Sequence, residues 1–199
     1  MKSILSRSTP ALILTLLASF APIVAQESSQ FVAIPQGTIA LTHATVIDGT
    51  GSPSMKDQTI LIEGDRITAV GASGSIRIPA NANIIDASGK TVIPGLVGLH
   101  NHSYYTGGNG RAAQLSFSGS RLYLASGVTT IRTTGAQQPY AELNLQREIE
   151  AGRVIGPTMF ATGPYLTGEQ GPQTMTRLEG PEQARREVRY WAEEGVSWF

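Results

Sequence analysis

The chain has 199 residues, and its 15 lysine and arginine side chains are balanced by 15 aspartate and glutamate side chains. A neutral net charge without a run of basic residues argues against a surface for nucleic acid or for an anionic membrane. There is no cysteine, so disulfides and thiolate metal sites are excluded. A small-molecule partner is the expectation that remains.

The first 25 residues have the pattern of a secretory signal peptide. Lys2 and Arg7 precede an apolar stretch, which ends at Ala25 before a polar segment. The stretch is shorter than the roughly 20 residues that cross a bilayer, so an uncleaved anchor is the less favoured alternative. We expect cleavage after Ala25, export to a periplasm or to the exterior, and no membrane attachment afterwards. Residues 26–36 are expected to be a linker.

Residues 37–90 are predicted to form a small β-domain. Apolar and β-branched stretches separated by Gly-rich and Asp-rich breaks predict strands at 38–47, 58–63, 66–71 and 83–85. Gly64 and Asp65 predict a tight hairpin turn between the second and third strands. His43 lies on the first strand with no second ligand nearby in sequence, so we interpret it as a structural or solvent-facing histidine.

The segment 91–102 contains two of the chain's three histidines. An apolar run passes through Pro94 and Gly95 into His100 and His102. Residues i and i+2 of a strand point to the same face, so the two imidazoles are predicted to project side by side and to share one divalent cation. Taken alone, a His-x-His pair is more often a polar strand end than a metal site.

Beyond the histidines, strand-like and helix-like patterns alternate. The predicted order is a flexible loop 104–110, a helix 111–126, a strand 127–133, a helix 142–151 and a strand 158–162. A long Gly- and Pro-rich loop follows at 163–180, and long loops in such folds often carry substrate contacts. A helix from Pro181 to the stop at Gly195 and a strand beginning at Val196 complete the order. This alternation predicts parallel βα units. The pattern alone does not choose between a doubly wound sheet and a (β/α) barrel.

Four short motifs occur in order up to the histidines. They are Asp48-Gly-Thr-Gly51, Glu63-Gly-Asp-Arg-Ile67, Asp86-Ala-Ser-Gly-Lys-Thr91, and Pro94-Gly-Leu96 running into His-x-His. Their order and spacing resemble the N-terminal part of the amidohydrolase superfamily, over residues 37–199. The chain departs from the pattern at Gly98, where many members carry an acidic residue, and the resemblance therefore leaves the subfamily open.

The resemblance implies a fold and a chemistry. The fold is α/β with a small β-domain: a β-sandwich segment at 37–90, followed at 91–199 by the first βα units of an incomplete (β/α)8 TIM-like barrel. His100 and His102 would be metal ligands at the carboxyl ends of the strands. The ion is expected to be zinc, with one or two ions in the complete enzyme, and it would activate water for hydrolysis of C–N bonds in non-peptide or dipeptide-like small molecules.

The same resemblance predicts that the site is incomplete. The family's bridging lysine follows a Gly-Val-x-x-x pattern that matches residues 195–199, so the lysine, two further histidines and the catalytic aspartate would lie later. No catalytic residue is expected within the chain, and the substrate-binding residues stay unassigned. A partial barrel has open strand edges that favour pairing with a second chain. We expect the N-terminal part of a secreted hydrolase, inactive alone; the alternative is a non-catalytic exported fragment that binds metal or a partner.

Overall fold

The computed structural model describes residues 31–34, 36–106, 112–168, 170 and 175–199, without the side chains of residues 106 and 112. The predicted signal peptide and most of the predicted linker lie outside these residues. The strands are β1 Thr38–Val46, β2 Met55–Glu63, β3 Arg66–Ala72, β4 Asn83–Asp86, β5 Thr91–Val92, β6 Leu96–Asn101, β7 Tyr104–Thr106, β8 Ala112–Gln114, β9 Val128–Thr133, β10 Thr158–Phe160, β11 Leu166–Thr167 and β12 Thr176–Arg177. The helices are α1 Ser118–Ala125, α2 Pro139–Glu150 and α3 Pro181–Glu193.

The N-terminal strands form one mixed five-stranded sheet. Its order is β3-β2-β1-β4, and β5 also pairs with β1. The β2–β3 hairpin turns through Gly64, whose positive φ of 62° suits glycine in the predicted tight turn. Apolar side chains of this sheet, including Ala44 and Ile60, are buried together with Ala87. The four predicted strands are confirmed, and β5 extends the sheet to residue 92, past the predicted domain boundary at residue 90.

A second sheet begins with the histidine-bearing strand. β6, β9 and β10 are parallel and lie in the order β10-β9-β6, so each successive strand of the chain is added at the same edge. Both connections contain a helix, as parallel strands require. The predicted parallel βα units are therefore present.

One face of this parallel sheet is covered by helices. Ile131 of β9 and Met159 of β10 are buried in one apolar cluster with Leu143, Leu145, Trp191 and Val196. Burying side chains of this kind contributes about 1.5–3 kcal/mol each, so this cluster is the main source of stability around the histidines. Phe160, the neighbour of Met159, is 48% exposed because alternate strand residues point to the opposite face.

Helix ends follow the local sequence signals. α2 starts at Pro139, three residues before the predicted start, because proline suits the first helical position. Gly127, Gly152 and Gly195 have φ values of 80°, 69° and 105° just after the three helices, as expected for glycine at a helix end. No helix in the described part of the chain is long and apolar enough to cross a membrane.

Two predictions around the histidine loop are wrong. The predicted loop at 104–110 begins with strand β7, and the predicted helix at 111–126 is helical only from Ser118 to Ala125, because Ala112–Gln114 forms β8. β7 and β8 pair antiparallel, with Tyr104 opposite Gln114. Backbone N–H and C=O groups of β8 are thus hydrogen-bonded to β7, whereas in the predicted helix they would have been bonded within the helix itself. Residues 107–111 lie outside the described residues.

Two further predictions need correction at the carboxyl end. Within the predicted loop 163–180, the short strands β11 and β12 pair parallel to each other. Residue 169 and residues 171–174 of that loop lie outside the described part. In place of the predicted strand from Val196, the structure has one isolated parallel β-bridge, between Thr162 and Trp198.

Candidate functional site

The two predicted ligands meet at the carboxyl end of β6. His100 is an exposed residue of the strand, and His102 lies just past its end and is partly buried. Their ring centroids are 5.4 Å apart, and the ring planes are inclined by 85°. A cleft of about 340 Å³ opens beside them, lined by His100, Asn101, His102, Tyr104, Tyr105 and Tyr123.

The separation of the two rings fits a shared metal ion. Imidazoles bound at about 2.0–2.1 Å to one tetrahedral ion have ring centroids roughly 5 Å apart. The observed 5.4 Å agrees with this geometry, and neutral imidazole is a suitable zinc ligand. In the described residues, no group of three or more His, Cys, Asp or Glu side chains could hold a metal. The described residues therefore bring together two nitrogen donors, which is half of what a four-coordinate zinc shell would need.

The surroundings of His102 favour the neutral ring that a metal requires. Burial of the ring lowers the pKa of His102 below its ordinary value, and the neighbouring His100 lowers it further. The hydroxyl of Tyr165 lies 3.3 Å from His102 Nδ1 and 2.7 Å from the Tyr104 hydroxyl. Tyr123 donates its hydroxyl hydrogen to the backbone oxygen of His102 at 3.2 Å. The histidine is thus fixed through both its ring and its backbone.

A bulge in β6 shapes the strand just before His102. The register with β9 shifts between Gly98 and Asn101, and the Arg132 guanidinium donates to the Leu99 oxygen at 2.8 and 3.1 Å. A Cβ atom at Gly98 would lie 2.3 Å from the Asn101 side chain. The bulge therefore gives a physical reason for glycine at this position, where the family resemblance described above would place an acidic residue. Such a side chain would require Asn101 to move.

Glu142 lies behind the histidine segment and was not expected from the sequence. The carboxylate is fully buried, and its Oε1 accepts a hydrogen bond of 2.8 Å from Ser103. Its Oε2 is also buried, and none of the described residues forms a hydrogen bond with it. Gln114 in turn donates to Ser103 at 2.7 Å. Burial raises the pKa of Glu142 above its ordinary value. A glutamate in an amphipathic helix usually faces solvent, so no sequence signal distinguished this one.

Two threonines join the carboxyl ends of β9 and β10. Thr133 Oγ1 accepts a hydrogen bond of 2.9 Å from the Thr162 backbone N–H, and the two hydroxyls lie 3.1 Å apart. The Gly135 backbone N–H donates to Thr162 Oγ1 at 2.7 Å. These buried bonds stabilise the loops that lead to Tyr165, since unpaired groups here would carry a desolvation cost.

The third histidine lies away from this cluster, on the N-terminal sheet. His43 Nδ1 is 2.8 Å from Asp57 Oδ1, and both side chains are more than half exposed, at 56% and 68%. His43 has a positive φ of 60° in an irregular part of β1. The prediction of a solvent-facing histidine is confirmed, and His43 offers a natural control for experiments on the other two.

Comparisons with known proteins place this geometry in context. No protein-family model matches the chain. The chain is 34% identical over 110 residues to imidazolonepropionase of Streptomyces avermitilis, covering 54% of this chain and 26% of that protein. It is 29% identical over 146 residues to dihydroorotase of Bacillus licheniformis, covering 72% of this chain and 32% of that protein. The chain therefore spans about a third or less of these curated relatives.

Solved structures give the same relationship. A protein described as a prolidase from Bifidobacterium longum matches with a TM-score of 0.65 and 33% identity, over 80% of this chain and 39% of that one. Molinate hydrolase matches with a TM-score of 0.60 and 25% identity, over 82% of this chain and 44% of that one. Both matches cover less than half of the known structure, so the similarity concerns one part of a longer fold.

Proposed function

Because the chain belongs to the amidohydrolase superfamily and matches the N-terminal part of its members, we propose that it forms part of a metal-dependent hydrolase of C–N bonds. The observation that carries the proposal is the pair of imidazoles, His100 and His102, with ring centroids 5.4 Å apart at a strand end. Relatives of this superfamily generally use divalent metals. Zinc, as one or two ions in the complete enzyme, is the ion that we propose.

The residues of this chain would bind and orient the ion. When bound, a divalent ion acts as a Lewis acid and makes water nucleophilic near neutral pH. His100 and His102 would supply two nitrogen ligands, and burial favours the neutral, metal-binding form of the His102 ring by lowering its pKa. The cleft beside the two rings offers room for a small substrate. The carboxylate that handles protons is not assigned to any residue of this chain.

We also propose the domain organisation predicted above, a β-sandwich segment followed by the first units of a (β/α)8 barrel, with the boundary moved from residue 90 to residue 92 because β5 belongs to the first sheet. Two features support the barrel over a doubly wound sheet. The strand order β10-β9-β6 adds each strand at the same edge, and the buried cluster of the helices lies on one face. Exposed apolar residues on the opposite face, such as Phe160, fit the interior of a barrel that further strands would close.

The substrate that we propose is a small molecule with a non-peptide or dipeptide-like C–N bond. The support is the range of relatives, which includes imidazolonepropionase, dihydroorotase and an enamidase of Eubacterium barkeri. The enamidase is 35% identical to this chain over 85 residues, which cover 22% of the enamidase.

The neutral overall charge gives no support for a nucleic-acid partner. Pairing with a second copy through the open strand edges remains part of the proposal.

Zinc titration of the chain tests the metal site. We expect His100→Ala and His102→Ala each to weaken zinc binding by at least about tenfold, because each removes one nitrogen ligand. Isothermal titration calorimetry gives the affinity, and elemental analysis gives the stoichiometry. The matched control is His43→Ala, which removes the remaining histidine of the chain and should leave both values unchanged.

The same titration can also contradict the metal site. Unchanged zinc affinity and stoichiometry in the His100→Ala, His102→Ala double variant would contradict the metal site. Equal losses in the His43→Ala variant would indicate nonspecific histidine binding and would also count against it. If the coding sequence continues past Phe199, a lysine as the next residue supports the enzyme over a non-catalytic metal-binding fragment.

We propose export with cleavage after Ala25, supported by the basic start, the apolar stretch and the small residue at the junction. N-terminal sequencing of the protein from its native host is expected to show Gln26 as the first residue. Recovery of an intact Met1 on protein from the cytoplasm would contradict the proposal. A mature protein that starts within a few residues of Gln26 would move the predicted cleavage site but would still support export.

A further inference from the structure

We infer that Tyr165 is a positioning residue that holds His102 in the tautomer with hydrogen on Nδ1, leaving Nε2 to bind the metal. The inference rests on the proposed function and deepens it. The Tyr165 hydroxyl lies 3.3 Å from His102 Nδ1, and the backbone of Gly135 also hydrogen-bonds to the same ring. A histidine ligand that donates its other ring N–H to a neighbouring group is fixed in orientation and gains basicity.

The place of Tyr165 is determined by the fold. Its ring lies so close to Gly135 that a Cβ atom there would be 2.4 Å from the ring. The Thr176 backbone N–H donates to the backbone carbonyl oxygen of Tyr165 at 2.8 Å, and the backbone N–H of Tyr165 donates to the carbonyl oxygen of Ala136 at 3.4 Å. The hydroxyl is then 2.7 Å from that of Tyr104. Tyr165 is therefore held at its ring, its backbone and its hydroxyl.

Proton counting around the Tyr165 hydroxyl leaves two arrangements. A phenol has one hydrogen to donate. If Tyr165 donates to Tyr104, its oxygen accepts from His102 Nδ1–H, and His102 Nε2 carries a free lone pair. If Tyr165 donates to His102 Nδ1, the ring hydrogen lies on Nε2 and blocks that nitrogen. Metal binding through Nε2 thus requires the first arrangement.

Metal binding through Nδ1 conflicts with the geometry. A zinc ion lies about 2.0–2.1 Å from a histidine nitrogen. The Tyr165 oxygen is only 3.3 Å from Nδ1, so an ion there would displace the hydroxyl. Since Tyr165 packs closely over Gly135 and pairs with Tyr104, this displacement would break contacts on both sides. Nε2 is the nitrogen that remains.

NMR of the metal-free chain tests the tautomer directly. Long-range ¹H–¹⁵N spectra at pH 8 are expected to show hydrogen on Nδ1 of His102 in the wild type. Tyr165→Phe keeps the ring but removes the hydroxyl, and it should shift His102 towards the Nε2–H tautomer. Tyr104→Phe removes the acceptor of the Tyr165 hydroxyl hydrogen, and it should also shift the tautomer equilibrium of His102 towards the Nε2–H form. A wild-type His102 with hydrogen on Nε2 would overturn the inference.

Zinc affinity supplies the second readout. Tyr165→Phe is expected to raise the zinc Kd by about 10–100-fold, the usual loss when a partner of a ligand histidine is removed. Tyr140→Phe is the matched control, since it also breaks a tyrosine pair, with Tyr190, and should leave the Kd unchanged. Unchanged affinity and tautomer in Tyr165→Phe, with zinc binding still dependent on His100, would refute the role of Tyr165 and spare the proposed function. If the wild type binds no zinc, the proposed metal site fails, and the tautomer spectra still decide the role of Tyr165.

Discussion

Residues 1–199 loaded with zinc should hydrolyse amides, cyclic amides and dipeptides at least about 10⁴-fold more slowly than a complete amidohydrolase. His100 and His102 would leave half of a four-coordinate zinc shell to water, and the described residues contain no group of three or more side chains that could hold a metal. The exposure of His100 places the ion near bulk solvent, which screens its field. No proton-handling carboxylate is expected in this chain, so a further factor of about 10²–10⁴ in rate would be missing.

The assay compares the zinc-loaded chain with a full-length relative on the same substrates. Manganese loading serves as a second metal, and His100→Ala gives the background rate. Metal-dependent turnover that matches the relative and disappears in His100→Ala would contradict the prediction. Such a result would mean that copies of the chain together rebuild the active site, and a gel-filtration measurement of oligomeric state would then show the assembly.

Glu142→Gln should stabilise the protein increasingly as the pH is raised from 4 to 8. Burial is the main cause that raises the pKa of Glu142 above its ordinary value of 4.5. The group is fully buried, and the hydrogen bonds of Thr133 and Ser103, which lower the pKa, offset this desolvation only in part. Ionisation in the folded state therefore leaves a poorly compensated buried charge, whereas glutamine keeps the shape of the side chain without this charge.

The direction of the pH effect follows from proton linkage. Below the unfolded-state pKa, Glu142 is protonated in both the folded and the unfolded state, so no ionisation penalty lowers the stability of the wild type. As the pH rises towards the folded-state pKa, the unfolded chain loses its proton first, and the wild-type protein loses stability that the glutamine variant keeps. Thermal unfolding of both proteins between pH 4 and pH 8 measures the difference.

Two further variants complete the Glu142 experiment. Glu150→Gln, on an exposed carboxylate of the same helix, is the matched control and should show no such pH trend. Glu142→Ala should cost about 1–3 kcal/mol at pH 4, because it removes the acceptor of the Ser103 hydroxyl. A constant difference between Glu142→Gln and wild type across the pH range would contradict the account of Glu142 as a penalised buried acid.

Much of the fold was predictable because its signals are local. The β2–β3 hairpin follows from Gly64 and Asp65 between two apolar runs, and the helix ends follow from Gly127, Gly152 and Gly195. The β7–β8 hairpin was missed for the opposite reason. Ala112–Gln114 has no strong strand propensity, and it is a strand because Tyr104–Thr106 lies opposite it.

The sequence by itself determined most of the longer strands and helices and the placement of the two histidines at a strand end, because hydrophobic period, turn residues and the i, i+2 spacing act between close neighbours in the chain. The tertiary structure alone decided which distant groups surround those histidines. Tyr165 is 63 residues from His102 in sequence, and Glu142 is 39 residues from Ser103, yet each pair lies within hydrogen-bond distance. The physical reason is that parallel strands bring their carboxyl ends together, so packing of β6, β9 and β10 gathers side chains that no local pattern connects.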